Sequence, residues 1–488
     1  MTHNGFDLAA AARQTMIDQG FQPDFPPAVE QQLAGLRAKP AVQPGAVQPS
    51  NDVRDMRSLL WSSIDNDTSR DLDQAEFAER VAGGIRLLIA IADVDDDVPA
   101  GTPIDQHAAI ETTSVYTGVR TFPMLPEELS TGLTSLHENA DRLSIVIQMV
   151  VAPDGSVTSG AVYRALVRNH AQLTYNGVGL WLEGTAQAPP KVAASADLQA
   201  QLKLQDEAAR LLLDERQRMG ALSLDRVEAE PIVTDGKVSG IDIRQKNRAT
   251  ELIENFMVAA NGVMARTLAQ AGVSSIARVV RTPERWPRIV ELAARYGETL
   301  PATPDSGALN RFLLKRATTD PDHYPDVSLA VVKLMGPGEY VLARPGDKDV
   351  GHFALAAHDY THSTAPNRRF ADTVTQRLIK SVIAKTPCPY SDGQLDATAK
   401  NCTLKEDAAR KVERVMNKRI AAVALRPRIG ESFAAIVTGV TPKGVFVRVS
   451  NPPAEGILVH GEGVDVGDKL QVKLISTDPR RGYLDFAR

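Results

Sequence analysis

Between Leu143 and Gly272 the hydrophobic pattern alternates between a period of two and a helical period, and the order of those periods limits the fold more than any other feature. LSIVIQMVVAPDGSVTSGAVYRALV reads as a β-hairpin about Asp154-Gly155. LQAQLKLQDEAARLLLDERQRMG follows as an amphipathic helix stopped by Gly220. VEAEPIVTDGKVSGIDIRQ is a second hairpin, at Asp235-Gly236, and ATELIENFMVAANGVMARTLAQAG a long, largely buried helix. Hairpins followed by helices specify an α+β domain, because repeated βαβ units would separate single strands by helices. No Gly-rich phosphate loop or dinucleotide fingerprint stands where a strand meets a helix.

The flanks read differently. DLAAAARQTMIDQG, with Asp7 as N-cap and Gly20 as stop, and FPPAVEQQLAGL, with proline in its first turn, predict two short helices. RAKPAVQPGAVQPS (Arg37–Ser50) is a Pro/Ala/Gln linker. Residues 1–50 are therefore a small helical unit, open to a helix-turn-helix reading or to a packing role. A long charged helix follows Pro389, and residues 428–488 hold about five short alternating strands, the pattern of a small closed barrel. Residues 51–427 remain as the central domain.

At 488 residues the chain has room for two to four domains and a large core. A net charge of −5 does not advertise nucleic-acid binding, although a basic channel can lie inside an acidic shell. Two cysteines, Cys388 and Cys402, suit a reducing cytoplasm and no disulfide framework. The start MTHNGFDLAAAARQ lacks a basic, apolar signal pattern, and no apolar run reaches the length of a membrane span.

One stretch carries chemistry on its own. SIDNDTSRDLDQAE packs Asp65, Asp67, Asp71, Asp73 and Glu76 so closely that they repel one another unless a cation sits among them. Counted as a twelve-residue calcium loop it offers Asp65, Asp67, Ser69, Asp71, Asp73 and Glu76. Against calcium, Arg70 stands where such loops need glycine, and IRLLIAIADV downstream reads as a buried strand, not a helix. A solvated acidic loop and a phosphate-directed Mg²⁺ site are the other readings.

Three stretches in order settle the comparison: SIDNDTSRDLDQA, TFPMLPEELS and GHFALAAHDYTHSTAPNRRFAD. From about Arg54 to Arg488 the chain resembles the ribonuclease II (RNB) family of processive 3′→5′ exoribonucleases. Its last sixty residues resemble the RNA-binding OB fold of ribosomal protein S-one. The resemblance implies an α+β catalytic domain, a five-stranded OB barrel and release of 5′-monophosphates from single-stranded RNA by a cytoplasmic monomer. The family has four acidic residues, Asp-x₅-Asp-x-Asp-Asp, around Mg²⁺. Asp65, Asp71 and Asp73 match the first three, and Gln74 replaces the fourth. By the same match Asp67 and Glu76 are solvated or local partners. A catalytically impaired, RNA-binding family member is the alternative that Gln74 raises.

The resemblance also implies roles elsewhere. Arg368 in THSTAPNRRF falls on the phosphate-contacting arginine, with Arg369 structural. His362 in the same motif is expected to pack or hydrogen-bond. Tyr116 matches the aromatic clamp on the terminal base, and Tyr175 a second nucleic-acid contact, with a core tyrosine as its plain alternative. Glu413 matches a residue near the channel, but on a charged helix it reads as solvated. In the barrel, Phe446 and His460 are expected on RNA-facing strands, and Lys443 stands where an aromatic often sits.

Overall fold

The computed structural model describes residues 6–38, 52–224, 228–234, 237–244, 246–321, 323–347, 351–442 and 444–488. Helices α1 (Leu8–Asp18) and α2 (Pro27–Arg37) open the chain. Asp7 caps α1 through Ala10 N at 2.9 Å, as expected. The two helices do not pack as a helix-turn-helix unit. α1 lies on the long C-terminal helix and α2 on the helix at Pro103–Glu111. The connection from Asp18 to Pro27 is also longer than the tight turn of that motif. The linker expected beyond Ala38 lies outside the described residues.

The central sheet positions the acidic loop. Its strands are β1 (Val53–Asp55), β2 (Trp61–Asp65), β3 (Gln74–Val81), β4 (Gly84–Ala92), β7 (Asp141–Val151) and β8 (Val157–Thr174). The short pair β5 (Val115–Tyr116) and β6 (Thr121–Phe122) comes between, after α3 (Pro103–Glu111). The sheet order is β1-β8-β2-β3-β4-β7, and β8 also pairs with β7. β8 is long enough to pair with β7 over its first part and β2 over its last, so the sheet curls back on itself. Gly155 makes the predicted turn with φ +85°, and a Cβ there would sit 2.0 Å from Leu211 O.

After β8 come α4 (Tyr175–Leu182), α5 (Pro190–Ala193) and α6 (Ala196–Arg218). The second predicted hairpin follows as β9 (Glu228–Thr234) and β10 (Lys237–Arg244), then α7 (Arg248–Gln270). Its turn at Asp235-Gly236 lies outside the described residues. α6 and α7 pack on the sheet, burying Leu87, Ile89, Ile147 and Phe256 in one core, as their apolar stripes require. β11 (Ser275–Val279) then leads to α8 (Trp286–Arg295), α9 (Ser306–Thr319) and α10 (Tyr324–Met335), which close a separate core around Trp286 and Phe312. β12 (Glu339–Ala343) returns to pair with β11, and α11 (Phe370–Ala384) and α12 (Asp392–Leu425) complete the domain.

The C-terminal strands β13 (Ser432–Thr441), β14 (Gly444–Ser450), β15 (Pro453–Leu458), β16 (Lys469–Asp478) and β17 (Tyr483–Ala487) close as a barrel in the order β13-β14-β15-β17-β16. Its core of Phe433, Val447, Leu474 and Phe486 takes in Ala422 and Leu425 from the end of α12. Arg448 of the barrel pairs with Asp326 of α10, Nη1 to Oδ1 at 2.7 Å.

Candidate active site

The acidic loop runs from the end of β2 to the start of β3, and a serine outside it holds it in place. Ser135 Oγ donates to Arg70 O at 2.8 Å and accepts from Leu72 N at 3.0 Å. Leu136 N adds a bond to Leu72 O at 2.9 Å. The loop backbone is thus clamped.

Asp65 Oδ1 accepts from Asn66 N at 2.7 Å and Ser69 Oγ at 2.9 Å. Burial raises its pKa above the ordinary carboxylate value, against the pull of those bonds. Asp71 Oδ2 faces the Tyr116 hydroxyl at 3.4 Å. Asp73 Oδ1 accepts from the backbone N–H of Asn367 at 3.1 Å, and Arg368 Nε lies 3.9 Å from its Oδ2. Burial pushes the Asp73 carboxyl up to about 7, opposed by the Arg368 charge. Arg368 also lies within electrostatic reach of Asp65. Asp65, Asp71, Asp73, Tyr116 and Arg368 therefore converge on one locus from three separated segments.

Gln74, the departure from the four-acid pattern, is buried, and its Nε2 donates to Ile64 O at 3.3 Å. Asp67 has a local partner, accepting from Asn176 Nδ2 at 2.9 Å. Glu76 differs from expectation. It is fully buried, and neither carboxylate oxygen has a hydrogen-bond partner among the described residues. The cause is that β3 is covered on both faces, residues 74–78 all being buried, with residue 76 opposite Ser62 and beside Ile89. Burial, reinforced by Asp65, raises its pKa well above the ordinary value.

The residues around Arg368 follow their expected roles. Arg369 is tied to Asp372, Nη2 to Oδ1 at 2.6 Å. The His362 ring sits between Tyr340 and Tyr360, with Nδ1 hydrogen-bonded to the Tyr340 hydroxyl at 2.8 Å. Burial holds its pKa well below the ordinary imidazole value. Glu413 is not the solvated residue that its charged helix suggested. It is partly buried, its carboxyl raised by burial, and it takes the backbone N–H of Tyr116. The helical charge pattern hides this because the covering strand, β5, is remote in sequence.

Tyr175 is the first residue of α4, partly buried against the main core and adjacent to Asn176, the partner of Asp67. Phe446 lies on β14 as expected. His460 does not lie on a strand. β15 ends at Leu458, and His460 adopts φ +57° in the turn that follows. Lys443 lies outside the described residues. Among the described residues, neither Phe446 nor His460 is joined to the acidic locus by a hydrogen bond or ion pair. Sequence reasoning missed Ser135 and Asn367, whose roles run through backbone contacts that no motif spacing reveals.

Among the described residues, no group of three or more His, Cys, Asp or Glu forms a ready-made metal cage. The donor set nevertheless fits a hard cation that brings its own water: it is all oxygen, spread over Asp65, Asp71 and Asp73. Mg²⁺ is held in this way, by one or two carboxylates together with water and substrate phosphate. A calcium loop would instead surround its ion with protein oxygens, and Asp67 and Glu76 face elsewhere.

Residues 53–385 match the model of the RNB domain, and residues 431–488 that of the RNase II-type exonuclease C-terminal S1 domain. Ribonuclease R 1 of Lactococcus lactis subsp. lactis is 30% identical over 476 residues, spanning 90% of this chain and 57% of its own length. Ribonuclease R of Escherichia coli (strain K12) is 31% identical over 460 residues, spanning 90% of this chain and 54% of its own. The chain thus spans a little over half the length of these curated relatives. Mycoplasma genitalium RNase R, solved in complex with ribose methylated single-stranded RNA, shares the fold. The TM-score is 0.87 at 23% identity, over 99% of this chain and 78% of that one.

Proposed function

Because the chain belongs to the RNB family, as the match over residues 53–385 shows, we propose that it is a Mg²⁺-dependent hydrolytic exoribonuclease. It takes single-stranded RNA 3′ end first and releases 5′-nucleoside monophosphates. The observation that carries this reading is the convergence of Asp71, Asp73, Arg368 and Tyr116. Mg²⁺, held by Asp65, Asp71 and Asp73 with the Gln74 amide oxygen, would supply Lewis acidity at the scissile phosphate and its attacking water.

The chain's own residues do the rest. Arg368 presents a planar guanidinium to two phosphate oxygens, where negative charge grows in the transition state. Tyr116 gives the terminal base a π-face, a contact that tolerates every sequence. Its hydroxyl on Asp71 and its amide on Glu413 fix that ring beside the acids. Asp73 accepts from Asn367 and faces Arg368, so the acid and the phosphate contact keep one register. Tyr175 serves as a further RNA contact near the acidic loop. Phe446, Lys443 and His460 serve as RNA contacts on the barrel (428–488), beside the catalytic domain (51–427) and the helical segment (1–50).

No described helix is long and apolar enough to cross a membrane. A monomer acting on RNA in the cytoplasm is part of the same reading. A second reading, a family member that binds RNA without cutting it, is favoured by one observation: the uncharged Gln74 in the acidic row. Pure protein incubated with 5′-labelled poly(A) and Mg²⁺ separates the two. A ladder shrinking from the 3′ end supports the enzyme, and RNA shifted but uncut supports the binder.

A further inference from the structure

Residues 111–116 run from the end of α3 to Tyr116, and the N-terminal segment meets this stretch at both ends. Glu111, the last residue of α3, accepts from Gln22 N through both carboxylate oxygens, at 3.0 and 3.1 Å. Val115 and Phe122, paired across β5 and β6, share one core with Ala12, Met16 and Phe21 and with Ala409, Val412 and Met416 of α12. Side chains alternate along a strand, so Val115 enters that core while Tyr116 points away from it. Between the two ends, Thr112 has φ +58°, a left-handed conformation that a β-branched residue keeps only when its surroundings impose it. Helix α12 holds the segment on either side of Glu413. Lys405 Nζ donates to Gly20 O and Arg419 Nη1 to Thr15 Oγ1, both at 2.7 Å. Glu413 itself takes the Tyr116 N–H. Midway along the stretch, Ser114 N donates to Arg368 O at 3.0 Å and Phe370 N to Thr112 O at 2.8 Å. One short strand therefore carries Tyr116 at its end and Arg368 at its side, with the N-terminal segment packed behind it.

We propose that residues 8–22 are the positioning element of the 3′-end clamp: they hold the Tyr116 ring at a fixed separation from Arg368 and so set the length at which short RNA is released. The inference rests on the exoribonuclease reading. A terminal nucleotide has to bring its base to Tyr116 and its phosphate to Arg368 together, so the separation of the two side chains is part of the site. The front of the ring supplies little of that precision, since its hydroxyl reaches Asp71 only at 3.4 Å, the long end of a hydrogen bond. Precision comes from behind, where a close-packed core leaves Val115 one position. Arg368 keeps a separate register with the acids, because its neighbour Asn367 donates to Asp73. Loosening the core therefore shifts the ring and spares cutting. Long RNA hides the shift, because its other contacts still hold it. A short product has little besides the terminal stack, and it leaves earlier. Packing that only kept α1 folded would give no such link to product length.

The test loosens the shared core without touching the acids. Met16→Ala opens space in it, and Met16→Leu refills it with nearly the same volume. Phe21→Leu is a milder change that keeps apolar bulk and withdraws the ring from Lys405. Leu309→Ala, in the separate core around Trp286, is the control for lost stability alone. Melting curves show that each full-length protein is folded. 5′-labelled poly(A) with Mg²⁺ then reports the initial rate and, on a sequencing gel, the final oligonucleotide. Met16→Ala and Phe21→Leu should stop at a longer oligonucleotide, with the initial rate on long RNA little changed. Met16→Leu and Leu309→Ala should stop where wild type stops. Combined with Tyr116→Ala, Met16→Ala should add nothing, so that the double variant stops at the length set by Tyr116→Ala alone. Wild-type end products from Met16→Ala and Phe21→Leu, both folded, would overturn the assignment. So would a Leu309→Ala product as long as theirs, or a double variant that stops earlier than Tyr116→Ala. A Tyr116→Ala protein with the wild-type product overturns it too, since there is then no clamp to position. A wild-type protein that yields no shrinking ladder overturns the exoribonuclease reading itself, and this assignment with it.

Discussion

Arg368 and Asp73, nearly three hundred positions apart in sequence, meet with Nε 3.9 Å from Oδ2. The preceding residue secures the approach, since Asn367 N donates to Asp73 Oδ1 at 3.1 Å and its side chain takes the Thr134 hydroxyl at 2.6 Å. A buried carboxylate would ordinarily be expelled or protonated. Here the guanidinium opposes that cost while its own side chain stays 43% exposed, facing outward where a phosphate can reach it. The pair is loose enough for the arginine to change partners when an anion arrives.

Asp73→Asn should abolish cleavage and leave RNA binding nearly intact. The amide keeps the Asn367 contact and the volume but removes the charge. Without this carboxylate the Mg²⁺ site of the proposed enzyme is incomplete. Labelled-RNA degradation and a gel-shift assay together check this. Retention of a tenth of the rate would exclude Asp73 from the chemistry.

Tyr116→Ala should lengthen the final oligonucleotide without stopping hydrolysis. A base stack is worth roughly 1–3 kcal/mol, and short products lack other contacts to replace it. Tyr116 is 44% exposed, which suits a partner that comes and goes. End products resolved on a sequencing gel decide the matter, and an unchanged length would make Tyr116 a packing residue only.

The sequence yields the acids and the arginine because their chemistry is local. Carboxylates as close in sequence as Asp65, Asp71 and Asp73 repel one another and so stand out in any fold, and PNRRF carries a guanidinium beside a turn. The hairpin–helix order is legible because Asp154-Gly155 and the stop at Gly220 are backbone requirements. Glu76 and Glu413 are not legible, since each looks polar in the sequence and is enclosed by elements distant from it. His460 shows the limit of strand-end prediction: its backbone turns after Leu458, where the alternation alone continues. Residues 286–335 build a core of their own around Trp286, which no motif announces.

Mild acid should cost the fold stability through its buried histidines, while the raised carboxyls of Asp73 and Glu76 act in the opposite sense. Burial lowers the pKa of His107 to about 4 and that of His352 to about 4, against ~6.5 in an unfolded chain. As pH falls through that window the unfolded chain takes up protons that the folded chain refuses, so stability present above ~6.5 is lost on the way to 4. Urea midpoints at pH 7.5 and 5 should differ less for His107→Phe than for wild type. Equal differences would mean that His107 is not the responsible group.

Gln74→Asp should lower the Mg²⁺ concentration needed for half-maximal activity. The present side chain is neutral, and its amide nitrogen is committed to Ile64 O at 3.3 Å, which leaves only the oxygen for a cation. An amide oxygen can ligate a hard cation but contributes no charge. Aspartate would add a fourth carboxylate beside Asp73, increasing attraction for the ion and repulsion in its absence. Two measurements should therefore move in opposite directions: the variant should melt at a lower temperature in chelator and gain more from added Mg²⁺ than wild type. The shorter side chain also gives up the Ile64 contact, so a lower melting temperature alone would not suffice. Superimposable Mg²⁺ titrations of initial rate, with the variant folded, would leave Gln74 as a tie between β2 and β3 and remove it from the cation site.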